Sequence, residues 1–474
     1  MIFTSNIFLF LYLPVYLLFY YAAKFSWRSY IIVIGSYSFY AWWRPDFLLL
    51  FVGITYWNYV FGLKIHALRD VDKPKAFRWL TVGVIGNLAT LGYFKYANFG
   101  VEAIAAAMQQ FGLDTFTLEK IILPLGISFY VFQALSYIVD IYRKDADPTN
   151  RFVDFAAFIS LFPQLIAGPI LRYSLIADQL RQRTHSWDLF SLGVSRFMLG
   201  FTKKVFIADS IAPLNSYLMS ASDPTLIDVW IGSLASLVQL YFDFSGYSDM
   251  AIGLGMMMGF RFAENFNQPF LCMSMTEFWR RWHLTLSGFL RDYIFIPIAK
   301  TGWVTAAIAS FITMALSGLW HGASFSFILF GVYFGVFMVI EKRFGFTTGI
   351  DSPYSFVRNF IAVAMVVMAM PLFITGNLSH SINIYAGAMG LHGVGSFDPM
   401  LISTSKMTLA FLALAMVWVV ITGVINRRFY ALKQEVYVMS HVSKWQAAIL
   451  WAAFVISVTK LAASSFSPFL YFQF

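Results

Sequence analysis

The chain has 474 residues, of which 59% are hydrophobic and 12% charged, and its mean hydropathy is +0.68. A soluble protein of this length could not bury so much apolar surface, so the composition excludes that class and predicts an all-α protein that crosses the membrane several times. The net charge of +9 is interpreted as a topology signal, since basic residues collect in cytoplasmic loops, and no nucleic-acid partner is predicted. The single cysteine, Cys272, excludes an intrachain disulfide and a cysteine-rich metal site, and we predict no metal site of another kind.

Apolar windows of spanning length predict about eleven transmembrane helices, accompanied by re-entrant and interfacial helices. The windows lie near 2–22, 30–42, 46–64, 79–94, 121–141, 225–244, 303–320, 323–340, 358–375, 407–425 and 446–463, with less regular ones at 152–171 and 190–212. We interpret the first window as a retained span and not as a signal peptide, because it lacks a basic n-region and a small-residue cleavage site.

Basic residues indicate the orientation of these spans. They cluster at Lys24 and Arg28, at 69–78 and at 143–151, which fall on one side of the membrane if the first five spans alternate. The positive-inside rule then places the N-terminus outside. We find no repeat and no long linker, so we predict one integral domain over residues 1–474, with an outer segment at 377–405 and an inner loop at 426–444.

The stretch 241–300 is long, rich in aromatic residues and without a clean span, so we predict that it forms a catalytic insert facing the cytoplasm. Asp243 and Asp249 are six residues apart and do not share a helix face. We therefore favour structural ion pairs with arginines such as Arg261 over an acid–base dyad. Close helix packing, rather than a nucleotide-binding loop, is our interpretation of the glycines that follow, Gly253, Gly255 and Gly259.

The segment Glu277-Phe-Trp-Arg-Arg-Trp-His283 combines charge with aromatic rings. A helix would pair Glu277 with Arg281 and would stack two aromatic pairs, Trp279 with His283 and Phe278 with Trp282. Guanidinium groups bind phosphate and indole faces stack on flat rings, so the segment fits a ligand such as coenzyme A. Three further charged residues follow closely, Arg291, Asp292 and Lys300. An interfacial anchoring belt of tryptophan and arginine is the alternative that the sequence leaves open.

His321 is the first candidate for chemistry among the seven histidines. It lies within a stretch from Trp303 to Ile340 that has no charged side chain, long enough to cross a bilayer twice. A titratable group at that depth is costly and usually functional, although a neutral structural histidine is the alternative. Gly318 and Gly322 flank it at four-residue spacing and permit a close backbone approach. Histidines in basic or polar loops, such as His185, are interpreted as solvated surface.

Several motifs resemble those of the membrane-bound O-acyltransferase family, in particular its bacterial polysaccharide branch. They include Phe162-Pro-Gln-Leu-Ile-Ala-Gly-Pro169, Glu264-Asn-Phe-Asn-Gln-Pro269 and Gly318-Leu-Trp-His-Gly322, together with segments at 6–10, 39–44, 91–99, 124–130, 241–253 and 277–283. The chain departs from the family pattern after Ser287 and after Tyr293, so the contacts of that loop are not carried over.

The resemblance implies a ring of helices around a central tunnel and a catalytic core at about 120–345. By it, His321 matches the active-site histidine and His283 a second catalytic histidine at the mouth of the tunnel. Together with the residue chemistry above, it assigns substrate binding to Trp279, Arg280, Arg281, Trp282, Arg291, Asp292, Trp320, Asn267 and Gln268.

The resemblance also implies a reaction and its participants. Acetyl would pass from a cytoplasmic donor, acetyl-CoA, which is a substrate and not a resident cofactor, to an exopolysaccharide, with alginate as the expected polymer. An exported acetyltransferase of the SGNH type and a polysaccharide synthesis and secretion complex would be partners in a bacterial inner membrane, with the N-terminus periplasmic. Three rivals stay open: D-alanyl transfer, peptidoglycan O-acetylation, and a transporter with a proton-relay histidine at the membrane midplane.

Overall fold

The computed structural model describes residues 1–116, 119–346, 355–430, 442–464 and 469–470, and these residues form helices without any strand. The predicted inner loop at 426–444 lies largely outside this part of the chain. The chain divides into two compact units, one of residues 1–191 and 254–262 and the other of residues 192–253 and 263–474. The prediction of one integral domain stays a prediction.

Within the described residues, eight α-helices lie entirely in the first unit. They are α1 (Leu13–Ala22), α2 (Arg28–Ala41), α3 (Phe47–Leu68), α4 (Lys73–Gln110), α5 (Ile127–Arg143), α6 (Phe152–Ser160), α7 (Phe162–Leu165) and α8 (Tyr173–Arg181). A π-helical segment, Phe8–Tyr12, runs directly into α1, and a 3-10 turn, Phe25–Trp27, precedes α2.

The second unit holds the remaining helices of the described residues. They are α9 (Trp187–Thr202), α10 (Asp209–Ser220), α11 (Leu226–Met257), α12 (Met275–Trp279), α13 (Leu284–Leu290), α14 (Ile296–Lys300), α15 (Ala306–His321), α16 (Phe325–Phe344), α17 (Ser355–Thr375), α18 (Leu378–Ala388), α19 (Asp398–Ser403), α20 (Lys406–Tyr430) and α21 (Lys444–Ser464). Residues 187–191 of α9 and 254–257 of α11 belong to the first unit.

Within the described residues, six helices are long and apolar enough to cross a membrane, α3, α11, α16, α17, α20 and α21, and two shorter apolar ones cover Phe8–Ala22 and Ala306–His321. The prediction of an all-α, multi-pass membrane protein is therefore confirmed. Three other predicted windows, 30–42, 79–94 and 121–141, overlap helices that are shorter or more polar, and the last is helical only from Ile127. The count of about eleven spans stays a prediction.

The start of the predicted insert was wrong, because residues 241–257 complete the buried helix α11. This helix tolerates the two aspartates in its second half because each is ion-paired. Asp243 lies 2.7 Å from Lys204, and Asp249 lies 2.7 Å from Lys203 and 2.6 Å from Arg196. The expected structural ion pairs are present, with these partners instead of Arg261. The insert itself begins after Met257 and is built from short helices, including α12, α13 and α14.

The predicted close helix packing is confirmed at Gly253. A Cβ atom there would lie 2.5 Å from the carbonyl oxygen of Gly193 and 2.6 Å from the Phe197 nitrogen. Helices α9 and α11 can therefore touch through their backbones only because Gly253 has no side chain.

Candidate active site

Helices α15 and α16 form a tight hairpin that fixes the position of His321. Thr305 caps α15 through its side chain, and His321 is the last residue of that helix. A Cβ atom at Gly318 would collide with the Phe327 carbonyl oxygen and would lie 2.7 Å from the Gly331 nitrogen. The predicted close backbone approach at Gly318 is thus confirmed, and it holds the end of α15 against α16.

His321 is buried and faces a small apolar cavity. The cavity has a volume of about 20 Å³ and is lined by Leu237, Leu240, Phe244, Phe278, Trp279, Trp282, His321, Phe330, Phe334, Val366, Met370 and Phe373. The ring centroid of His321 lies 5.3 Å from that of Phe373 and 5.9 Å from that of Phe330. This volume holds one group of about the size of a water molecule. We call this space the histidine chamber.

His283 lies just beyond the end of α12. The helix ends at Trp279, and His283 has a φ of 45°, a left-handed backbone conformation that residues other than glycine rarely adopt. The prediction that Trp279 stacks on His283 assumed that the helix continues for one more turn. The helix ends at Trp279, so that turn is not formed. Phe278 and Trp282 do stack, with centroids 5.4 Å apart, and Arg281 pairs with Glu277 at 2.6 Å, as predicted.

Asn265 sets the tautomer of His283. Its Nδ2 donates to the Ser248 hydroxyl at 3.0 Å, and its Oδ1 accepts from the Thr285 hydroxyl at 2.9 Å and from the Thr285 backbone N–H at 3.4 Å. Because a backbone N–H can only donate, this last contact fixes the amide orientation. His283 Nδ1 lies 2.8 Å from that Oδ1. An amide oxygen can only accept, so Nδ1 carries the proton and Nε2 offers a lone pair. Within the described residues, Nε2 has no hydrogen-bond partner.

The two histidines are neighbours across one indole ring. The Trp320 centroid lies 5.0 Å from that of His321 and 6.3 Å from that of His283. Phe244, which lines the histidine chamber, also packs edge-on against His283 at 4.7 Å. Burial, reinforced by the charge His321 would carry if protonated, lowers the pKa of His283 well below its usual 6.5, so this imidazole is neutral near pH 7.

A second, larger cavity of about 460 Å³ adjoins the same segment. It is lined by Thr276, Trp279, Arg280, Leu284, Ser287, Gly288, Leu290, Arg291, Phe295, Ser310, Thr313, Met314, Met338 and Lys342. We call it the cationic cavity because three of these side chains are positively charged. Trp279 lines both cavities, so its indole forms part of the wall between them.

Five of the predicted binding residues line neither cavity: Arg281, Asp292, Trp320, Asn267 and Gln268. Arg281 binds Glu277 and the Asn267 carbonyl oxygen, while Asp292 binds Arg291 at 2.7 Å. The Asn267 backbone N–H donates to the Arg281 carbonyl oxygen at 2.8 Å, and Gln268 adopts a left-handed φ of 47°. The contacts between Asn267 and Arg281 hold the loop between α11 and α12 against the end of α12. The binding roles assigned to these residues stay predictions.

Sequence reasoning missed Lys342 and Asn265. Lys342 follows Glu341, just after the uncharged stretch that ends at Ile340, and a lysine at such a position is usually interpreted as a topology signal. Asn265 lies inside the Glu264–Pro269 motif but is 18 residues from His283, so no local spacing links them.

Known proteins are similar in sequence to this chain over all or part of its length. The profile of the MBOAT, membrane-bound O-acyltransferase, family matches residues 148–378. The chain is 46% identical to a protein named probable alginate O-acetylase from Pseudomonas putida, over the whole of both chains. It is 33% identical to a peptidoglycan O-acetyltransferase of Helicobacter pylori, over 83% of this chain and 81% of that one. It is also 32% identical to a teichoic acid D-alanyltransferase of Bacillus subtilis, over 46% of this chain and 59% of that one.

The match to the Pseudomonas protein runs from end to end, and both histidines and both cavities lie within the residues that the family profile covers. The chain therefore belongs to the membrane-bound O-acyltransferase family.

Proposed function

We propose that this protein transfers an acetyl group from acetyl-CoA to an acceptor hydroxyl for the O-acetylation of alginate. The donor binds from the cytoplasm, and the acetyl group leaves toward the periplasm of a bacterial inner membrane, where the N-terminus also lies. The observation that carries this proposal is the arrangement of His321 and His283 around Trp320, one indole away from a cationic cavity.

The cationic cavity suits the donor. Coenzyme A carries phosphates, and Arg280, Arg291 and Lys342 supply cations on its lining. Trp279 offers an indole surface at the point where this cavity meets the histidine chamber. The thioester would enter the chamber beside this ring.

The histidine chamber favours a small acyl group. A volume of about 20 Å³ accommodates a methyl-sized group, whereas each further methylene would have to displace aromatic side chains such as Phe330 or Phe334. Acetyl therefore needs less such displacement than acyl groups with longer chains.

The reaction needs a base and a thioester. The imidazole of His321 accepts the proton of the acceptor hydroxyl while the hydroxyl oxygen attacks the thioester carbonyl carbon. The C–S bond breaks, the acetyl ester forms, and coenzyme A leaves as the thiol after taking up the proton. To His283, which has an Nε2 lone pair without a hydrogen-bond partner among the described residues, we assign the role of accepting a hydrogen bond from the hydroxyl.

The acceptor chemistry follows the full-length relatives. The Pseudomonas protein that matches over its whole length is named for alginate, which favours that polymer over peptidoglycan or D-alanyl acceptors. The further participants in this proposal are an exported acetyltransferase of the SGNH type, which passes acetyl to sugar hydroxyls, and a polysaccharide synthesis and secretion complex.

The test replaces His321. We expect His321→Ala to reduce acetyl transfer from radiolabelled acetyl-CoA by about 10²–10⁴-fold, because a general base contributes about that factor. The measurements are acetyl incorporation into exported alginate and label transfer by the purified protein. His66→Ala is the matched control, since this histidine is exposed near the end of α3.

Membrane abundance and melting temperature verify that the His321 variant is folded. Normal acetylation by His321→Ala would reject the proposed role. If the label were transferred to peptidoglycan, or if D-alanine were transferred, and alginate received none, alginate would be rejected as the acceptor.

A further inference from the structure

Two arginines of the first unit lack an anionic partner among the described residues. No carboxylate in that part of the chain forms an ion pair with Arg28 or Arg183, whereas the buried Lys204 has two such partners. Buried charges in proteins are normally paired, because removing a lone charge from water costs several kcal/mol. The missing anion calls for an explanation.

Arg183 is only 9% exposed, and its hydrogen-bond partners are all neutral. Its Nε donates to the Tyr20 hydroxyl at 2.9 Å, and its Nη1 donates to the carbonyl oxygens of Gln179 and Leu180 at 3.2 Å. Tyr20 in turn donates its proton to the Met258 carbonyl oxygen at 2.7 Å, so it is protonated and not a counter-ion. The positive charge of Arg183 is therefore solvated but not neutralised.

Arg28 shares the same environment. Its Nη1 lies 2.8 and 2.9 Å from the two ring nitrogens of His185, and its buried Nε has no hydrogen-bond partner in the described part of the chain. His185 was expected on the solvated surface, but it is half-buried here. Burial and the two arginines lower the pKa of His185 to about 4, so it adds no charge near pH 7.

The two guanidinium groups lie over the same aromatic rings. Their carbons are 5.0 and 5.9 Å from the Tyr20 centroid and 5.9 and 5.3 Å from the Phe25 centroid, for Arg28 and Arg183 respectively. Two like charges are thus held together in a partly apolar site. Cation–π contacts offset part of the repulsion, but an anion between the two forks would remove it.

The location indicates where the anion comes from. The site follows α1, an apolar helix, and exposed aromatic side chains surround it, with Phe25 44% and Trp27 60% exposed. Exposed aromatic rings next to basic residues are typical of the membrane–water interface. Lys24, also exposed, adds a third cation there.

We propose that Arg28 and Arg183 form a binding site for a phosphate-bearing anion, namely the headgroup of an anionic phospholipid, with Phe25 and Trp27 against its glycerol and acyl portion. Planar guanidinium groups bind phosphate oxygens in pairs, which suits two arginines that approach one space. Lipid bound here would tie residues 20–28 to residues 183–185 within the first unit.

The test measures lipid-dependent stability of the full chain. We expect phosphatidylglycerol to raise the melting temperature of the detergent-purified protein, phosphatidylcholine not to raise it, and native mass spectrometry to show retained phosphatidylglycerol. Arg28→Gln and Arg183→Gln should each lose at least half of the shift. Lys75→Gln is the control, because it removes one exposed positive charge elsewhere in the same unit.

The outcomes separate the sources of the anion. If inorganic phosphate alone gives the same shift, the site binds free phosphate instead of lipid. If both glutamine variants respond to phosphatidylglycerol as the wild type does, or if neither anion stabilises the wild type, the site does not exist. Should the glutamine variants fail to fold, Arg28→Lys and Arg183→Lys decide the matter. They keep the charge but lose the fork, so a full wild-type response would also overturn the site.

Discussion

Arg280 and Lys342 line the cationic cavity without a carboxylate ion-pair partner in the described part of the chain. Lys342 donates to the carbonyl oxygen of Ala306 and to the hydroxyl of Ser310, so its ammonium group is oriented but not neutralised. Arg291, by contrast, is paired with Asp292. Arg280 and Lys342 would therefore attract the donor phosphates more strongly than Arg291, whose charge is neutralised by Asp292.

We expect Arg280→Gln and Lys342→Gln each to weaken acetyl-CoA binding by about 1.5–3 kcal/mol, the range for a lost charged hydrogen bond. Calorimetric titration with a nonhydrolysable acetyl-CoA analogue measures the effect. Lys300→Gln serves as control, since Lys300 is exposed and lines neither cavity. Equal affinities in all four proteins would return Arg280 to a role as an interfacial anchor. Arg281 is unsuitable for this test, because its loss would leave Glu277 buried and unpaired.

The hairpin of α15 and α16 determines where His321 lies, because the two helices touch through their backbones at Gly318 and Gly331. A Cβ atom at Gly331 would lie 2.9 Å from the Gly318 nitrogen, so neither glycine can gain a side chain without separating the helices. His321 is less than one turn beyond Gly318. Any shift at this contact therefore moves the imidazole relative to Phe373 and Trp320.

Gly318→Ala is expected to destabilise the protein by about 1–3 kcal/mol, as overpacking of a tight contact does, and to lower acetyl transfer. Gly92→Ala is the matched change within a helix, since a Cβ atom added there would meet no other atom within 4 Å and alanine favours helix formation. Melting temperature and acetyl transfer are the two measurements. A Gly318→Ala protein with wild-type values for both would show that the close contact is dispensable.

At the scale of the whole chain, two histidines are kept neutral by their surroundings. Burial lowers the pKa of His283 well below 6.5, and burial with two arginines lowers that of His185 to about 4. In the unfolded chain both would titrate near 6.5. Below pH 6.5 the unfolded state takes up protons that the folded state does not, so the free energy of unfolding falls as the pH falls, while above pH 6.5 this effect vanishes.

We therefore expect the melting temperature to decrease between pH 6.5 and 4.5, and to decrease less steeply in His185→Gln and in His283→Gln. His66→Gln, with its exposed side chain, should keep the wild-type slope. Melting curves at half-unit pH intervals measure the slopes. Parallel curves for the wild type and both buried-site variants would contradict the neutral, buried state of these rings.

Local spacing was enough to predict part of the site. The Glu277–Arg281 pair, the Phe278–Trp282 stack and the close approach at Gly318 were all predicted from pairs of residues four apart in the sequence. The break after Trp279 was not predictable, because the aromatic and charged residues there suit a continuing helix. Asn265, Lys342 and the chamber wall formed by Met370 and Phe373 lie far apart in sequence, so only the tertiary packing brings them to the histidines.

The wall that Trp279 forms between the two cavities has a consequence for donor hydrolysis by the enzyme. Water is the most abundant rival to a sugar hydroxyl, and an acyltransferase that admits it becomes a thioesterase. A chamber with room for one water-sized group, bounded by aromatic and aliphatic side chains, would keep bulk solvent away from a thioester carbonyl bound there. The protein would then hold acetyl-CoA with little idle hydrolysis and turn over only when an acceptor is delivered to His321.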